Sequence, residues 1–122
     1  MANIKSYADL VVWQKSMVLV KKTYLLMKNL PKEETYALSD QIRRAVVSIP
    51  SNIAEGQGRN SSKDFVHFLS ISLGSVYEIQ TQFIICRELG YLSNDDVSEV
   101  LAMTDEITKM LHSLMKSICP HG

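Results

Sequence analysis

A chain of 122 residues with 46% apolar content is long enough for one domain with a real core, which excludes a disordered chain. Five Gly and three Pro are too few for the many turns of an all-β fold. Formal charge is zero, yet residues 1–63 carry ten Lys/Arg against five Asp/Glu, and residues 64–122 carry three against eight.

The first residues, Met1-Ala-Asn-Ile-Lys-Ser6, place no apolar stretch behind their charge and predict no signal peptide. A first helix is predicted over about residues 8–29. Leu10, Trp13, Met17, Val20, Tyr24 and Met27 recur there at spacings of three and four, the mark of a bundle seam, and leave Lys15, Lys21, Lys22 and Lys28 off it. Leu30-Pro31 stops this helix, because the residue before proline avoids the α region.

A second helix is predicted over residues 32–55, with Leu38, Ile42, Ala45, Ile49 and Ile53 on one face and Gly56 as its C-terminal cap. Pro50 lies inside it and clashes with the carbonyl of Val46, so a kink is expected, with a complete break as the lesser alternative. The third helix, residues 62–89, opens on a capping pattern of Ser61 with Asp64, and its seam is Phe65, Leu69, Ser72, Val76, Ile79, Phe83 and Cys86. Val66, Phe68, Ile71, Leu73, Ile84 and Ile85 lie off that seam, and Glu78 is the only charge between Phe65 and Cys86. A helix apolar on more than one face must bury more than one, which points to a homo-oligomer. The longest run without Asp, Glu, Lys or Arg, residues 65–77, falls short of the roughly 20 apolar residues of a membrane span. The fourth helix, residues 95–118, repeats the capping pattern at Ser93 and Asp96 and carries Val97, Val100, Thr104, Ile107, Leu111, Leu114 and Ile118 on its seam. Short connections favour antiparallel neighbours. The expectation is a single all-α domain over residues 1–122, an up-down-up-down four-helix bundle in the cytoplasm.

Chemistry is sparse. Cys86 and Cys119 fall on antiparallel helices joined near Gly90 and would sit roughly 30 Å or more apart, so both read as reduced packing residues. Asp64 and His67 have the carboxylate-x-x-histidine spacing of di-iron bundles, but His112 and His121 have no carboxylate three residues before them. No metal, no cofactor and no catalytic constellation is expected, and the chain reads as a non-enzyme. The informative stretch is residues 41–63, with Arg43 and Arg44 on one helix and Gly56, Gly58, Arg59, Ser61, Ser62 and Lys63 entering the next. Free backbone N–H groups at a helix start, flanked by Arg and Lys, can hold a phosphate, while the blander reading is a capped turn.

Tyr7-Ala-Asp-Leu-Val-Val-Trp-Gln-Lys15, Leu38-Ser-Asp-Gln-Ile-Arg-Arg-Ala45, Ser48-Ile-Pro-Ser-Asn-Ile-Ala-Glu-Gly56, Gly58-Arg59, Phe68-Leu69 and Gly74-Ser75 with Glu78 resemble the bacterial four-helix-bundle proteins encoded in intervening sequences of 23S ribosomal RNA genes, also labelled the S23 ribosomal protein family. The resemblance spans roughly residues 7–92. It implies a ring-shaped homo-oligomer, a pentamer in related proteins, and a link to the accessory variability proteins of retroelements, basic pentamers that bind nucleic acid and partner a reverse transcriptase. It also makes Arg43, Arg44 and Arg59 candidate site positions. Two functions follow as expectations. One is a homo-oligomer binding RNA or DNA phosphates through Lys15, Lys21, Lys22, Arg43, Arg44, Arg59 and Lys63. The other is a scaffold or adaptor for a protein partner, whose basic residues serve subunit contacts and touch no nucleic acid.

Overall fold

The computed structural model describes residues 6–118. Four helices make it up: α1 (Val11–Met27), α2 (Leu38–Gln57), α3 (Ser62–Glu88) and α4 (Asn94–Ile118), with short 3-10 turns at Tyr7–Asp9 and Lys32–Glu34 and no strand among the described residues. Each helix packs on two neighbours, α1 on α2, α2 on α3, α3 on α4 and α4 back on α1, and the diagonal pairs stay apart. Cross-helix contacts fix every direction. Lys15 meets Glu106 while Lys22 meets Glu99, so α1 and α4 are antiparallel. Ser48 meets Ser75 while Gly56 lies against Phe68, so α2 and α3 are too. Gln80 meets Thr104 while Ser70 meets Met115, which reverses α4 on α3.

The seams of α2, α3 and α4 lie where apolar periodicity places them. Ile42, Ala45, Ile49 and Ile53, then Leu69, Ser72, Val76, Ile79, Phe83 and Cys86, then Val97, Val100, Thr104, Ile107 and Leu111 are all buried. Helix α1 differs. Leu10 and Met27 of the predicted seam are buried, but between them the buried line is Val12, Ser16, Leu19, Thr23 and Leu26, one position round from the predicted one. Ser16 satisfies its hydroxyl by donating to the Val12 carbonyl at 2.7 Å, and such small side chains let α1 sit close to its neighbours. Trp13, Met17, Val20 and Tyr24 are thereby left along an outer edge, with Met17 and Tyr24 exposed.

Helix α2 begins at residue 38 rather than 32. Pro31 holds an extended ψ of 147°, a 3-10 turn follows, and Ala37 has non-helical dihedrals. Glu34 bridges this entry, accepting from the Leu38 N–H and, at 2.9 Å, from the Tyr91 hydroxyl. That hydrogen bond, chiefly, pushes the Tyr91 phenol above its ordinary range. The helix then continues through Pro50 without a break and runs on to Gln57. Gly56 is therefore an interior residue and not the cap. A Cβ there would come within 2.8 Å of Phe68 Cβ and 3.2 Å of the Phe65 carbonyl, so glycine is what allows the start of α3 to lie against the end of α2. Farther along, Ser72 donates to the Ile49 carbonyl at 2.9 Å and the Ser48 and Ser75 hydroxyls meet at 2.5 Å.

Caps predicted at Ser61 and Ser93 accept from the N–H groups of Asp64 and Asp96. Helix α3 closes on Gly90 with φ 77°, its N–H bonded to the Arg87 carbonyl and the Tyr91 N–H to the Cys86 carbonyl, the paired bonds of a Schellman cap. Cys86 is a free, fully buried thiol whose pKa burial, with Glu34 as the smaller influence, pushes up to about 11. Cys119 lies outside the described residues, as does His121.

Candidate functional site

The seven predicted cations do not form one patch. Lys15 and Lys22 sit about two helical turns apart along the α1–α4 edge. There Lys15 Nζ lies 2.8 Å from Glu106 and Lys22 Nζ lies 3.1 Å from Glu99. Part of the charge asymmetry between the two halves of the chain is thus matched inside the bundle. Arg59 and Lys63 lie in and just after the α2–α3 connection, at the opposite end from Arg43 and Arg44. Arg59 lies 2.9 Å from Glu55 and stacks over the Phe68 ring at 4.8 Å, so it clips the end of α2 to the start of α3. Lys63 is exposed in the first turn of α3 and makes no ion pair among the described residues.

Of the remaining three, Arg43 and Arg44 come together on the α1–α2 face. Arg43 donates to the Thr35 carbonyl at 3.1 Å, which draws its guanidinium toward the α1–α2 connection. Arg44 is 81% exposed, and its Nε lies 3.2 Å from Asp40. That single contact leaves its terminal nitrogens facing water. On α1, three residues before Tyr24, which lines the same groove, Lys21 is exposed and carries no ion pair among the described residues. Lys28, just past the last residue of α1, is the same, and it was absent from the set predicted on sequence. Its signal was its spacing. Lys21, Tyr24 and Lys28 fall at i, i+3 and i+7, so the two lysines bracket one tyrosine on a helix edge.

Between these helices runs an open groove. One section, about 480 Å³, is lined by Tyr24, Asp40, Arg43, Arg44, Ser48 and Asn52 among others. The next, about 390 Å³, is walled by Tyr7, Trp13, Met17 and Val20 from one side and Pro50 and Ala54 from the other. Val47 and Ser51 belong to both, which makes the two sections continuous. Tyr7 and Trp13 stand edge to face with centroids 5.2 Å apart. The groove therefore grades from a cationic, hydroxyl-bearing end to an aromatic one.

Elsewhere the chemistry is thin. Asp64 lends its backbone N–H to the Ser61 cap, and His67 stands edge-on to Phe68 at 5.7 Å. No group of three or more His, Cys, Asp or Glu could hold a metal ion, and no helix is long and apolar enough to cross a membrane, among the described residues.

No curated protein sequence matches the chain. Among solved structures it is similar to a crystal structure of a protein with unknown function from the S23 ribosomal protein family of Bacteroides thetaiotaomicron VPI-5482. The two are 28% identical with a TM-score of 0.80, over 86% of this chain and 98% of that one. Residues 8–113 match the family model described as 23S rRNA-intervening sequence protein. With the match extending from the 3-10 turn before α1 almost to the end of α4, the chain belongs to the 23S rRNA-intervening sequence protein family.

Proposed function

We propose that this protein is a non-enzymatic, homo-oligomeric bundle that binds RNA or DNA phosphates on its α1–α2 face. The observation that carries the reading is that Arg43 and Arg44 line one open groove with Tyr24, with Asp40 the only carboxylate in that lining, while the exposed Lys21 and Lys28 stand three residues before and four after that tyrosine. Two arginines in the lining, with two lysines on the neighbouring turns of the Tyr24 edge, outnumber its one carboxylate and supply the sequence-independent term that dominates nucleic-acid affinity. Lys15 and Lys22, already held by glutamates, contribute less, and Arg59 and Lys63 reach phosphates only farther along a strand. The same reading keeps α2 bent at Pro50, whose ring lines the groove, and places the protein in the cytoplasm.

Self-association has its own support. Ile71, Tyr77, Ile84 and Ile85 on α3 and Leu89 just past it are exposed, an apolar strip too long for a face left to water. We take it as the surface on which copies meet, with the pentameric ring of related proteins as the assembly expected. A second reading, a protein scaffold without nucleic-acid contact, is favoured by the Lys15–Glu106 and Lys22–Glu99 pairs, which use basic residues for packing alone.

Anisotropy titration of structured RNA at low and moderate salt separates the two. Binding that weakens about 0.7 to 0.9 decades per decade of salt for each phosphate neutralised supports the first reading. A flat titration at low salt leaves the scaffold. Wild-type affinity in an Arg43→Ala/Arg44→Ala variant removes this face from the site.

A further inference from the structure

We infer that the α1–α2 groove takes a single strand of nucleic acid, with a base stacked on Tyr24 and the aromatic pair Tyr7–Trp13 as a further platform. This rests on the nucleic-acid reading above and goes beyond it in naming the form bound. Three features of the groove point the same way. The first is width. The axes of packed helices lie about 8–10 Å apart with side chains filling the space between, so the groove is a surface trough over the α1–α2 seam, narrow enough for one strand to lie along its floor. A duplex would ride on the rims and touch only the charges. The second is the order of side chains. Tyr24 is 44% exposed, and the unpaired Lys21 and Lys28 flank it on its own helix while Arg43 and Arg44 face it from α2. An open π-face with cations on both sides suits a base between two phosphates, because stacking is sequence-tolerant and the cations follow the backbone.

The third feature is continuity. From Arg43 to Ala54 the groove follows α2 for about 16 Å, with Ser48, Ser51 and Asn52 along the middle. Ser51 and Asn52 each spend a donor on a carbonyl of their own helix. The Ser51 oxygen and the remaining amide atoms of Asn52 stay available to sugar and base edges. At the far end Trp13 and Tyr7 offer aromatic surface beside Met17 and Pro50. Charge complementarity to phosphate is present along the cationic half.

The chain has one tryptophan, Trp13, and it lines this groove, so its emission is a built-in reporter. The full-length protein is titrated with a deoxythymidine oligomer and, separately, with a blunt duplex of equal length, both at about 50 mM salt. The strand is expected to bind at least tenfold more tightly and to quench Trp13, while the duplex leaves the emission unchanged. Tyr24→Leu should cost the strand about tenfold and the duplex nothing, with Tyr24→Phe near wild type. Thermal melting confirms that both variants fold. Equal affinity for strand and duplex, or a Tyr24→Leu variant that holds the strand as well as wild type, overturns the inference and leaves phosphate binding standing. Failure of both probes to bind overturns phosphate binding and the inference with it.

Discussion

Gly56 sets how closely two helices approach. An alanine there gains about 1 kcal/mol of helix propensity. Its methyl, however, would stand 2.8 Å from Phe68 Cβ, an atom fixed to the backbone of α3, and 3.2 Å from the Phe65 carbonyl. Relief requires α3 to move, and overpacking of this sort costs about 1–3 kcal/mol. Gly56→Ala should therefore lower stability despite its better propensity, and a urea melt that shifts upward would refute the close-approach role. Cys86 gives a pH-dependent case. Its thiol ionises near 9.0 when free and near 11 in the fold, because burial disfavours the thiolate. The folded state thus holds the proton more tightly than the unfolded chain. Its contribution is complete below about pH 9 and is lost as pH rises toward 11. Cys86→Ala should flatten the alkaline fall of stability in this window. Parallel profiles for the two proteins would mean that the thiol does not titrate as its burial implies.

At the scale of the helix, α1 is the informative case. Trp13, Met17, Val20 and Tyr24 have the size and spacing of a seam, but the bundle buries Val12, Ser16, Leu19, Thr23 and Leu26. The difference has a direct measure. Leu19→Ala removes a fully buried side chain and should cost about 2–5 kcal/mol, whereas Met17→Ala, at a position 43% exposed, should cost less than about 1 kcal/mol. The reverse order would restore the seam that apolar periodicity suggests. Periodicity located α2, α3 and α4 because their buried lines are almost wholly apolar, with Ser72 and Thr104 set between large neighbours. In α1 two of six buried positions are Ser16 and Thr23, and the larger apolar side chains Trp13, Met17 and Tyr24 lie one position round. Hydrophobicity alone selects the wrong edge in such a helix. The start of α2 was hidden for another reason: Lys32, Glu33 and Glu34 all suit a helix, and only the extended Pro31 and the conformation of Ala37 displace its first turn. Arg43 and Arg44 were legible as a pair. Their juxtaposition with Tyr24 across a groove was not, since it depends on which way α1 is turned.

At the scale of the whole molecule, the four helices close a core that leaves the outer strip of α3 uncovered, and Gly74 sits within that strip. It occupies the middle of a 27-residue helix, where glycine costs about 1 kcal/mol relative to alanine. Nothing in the bundle explains it, since a Cβ there would meet no atom within 4 Å. Its helical neighbours one turn away on either side, Ile71 and Tyr77, are both exposed apolar residues. A small residue amid large apolar ones is the shape that lets a second backbone come near. If copies pack on this strip, Gly74→Ala must act in opposite directions on the two levels. The isolated bundle should gain up to about 1 kcal/mol in a melt at low concentration. Association, followed by light scattering across a dilution series, should weaken because the added methyl fills the space a neighbour would use. Ile84→Lys supplies the control, dispersing the assembly without touching the core. A Gly74→Ala protein that is more stable and assembles as tightly as wild type would move the interface off this face. One that disperses and melts higher ties the exposed strip of α3 to assembly.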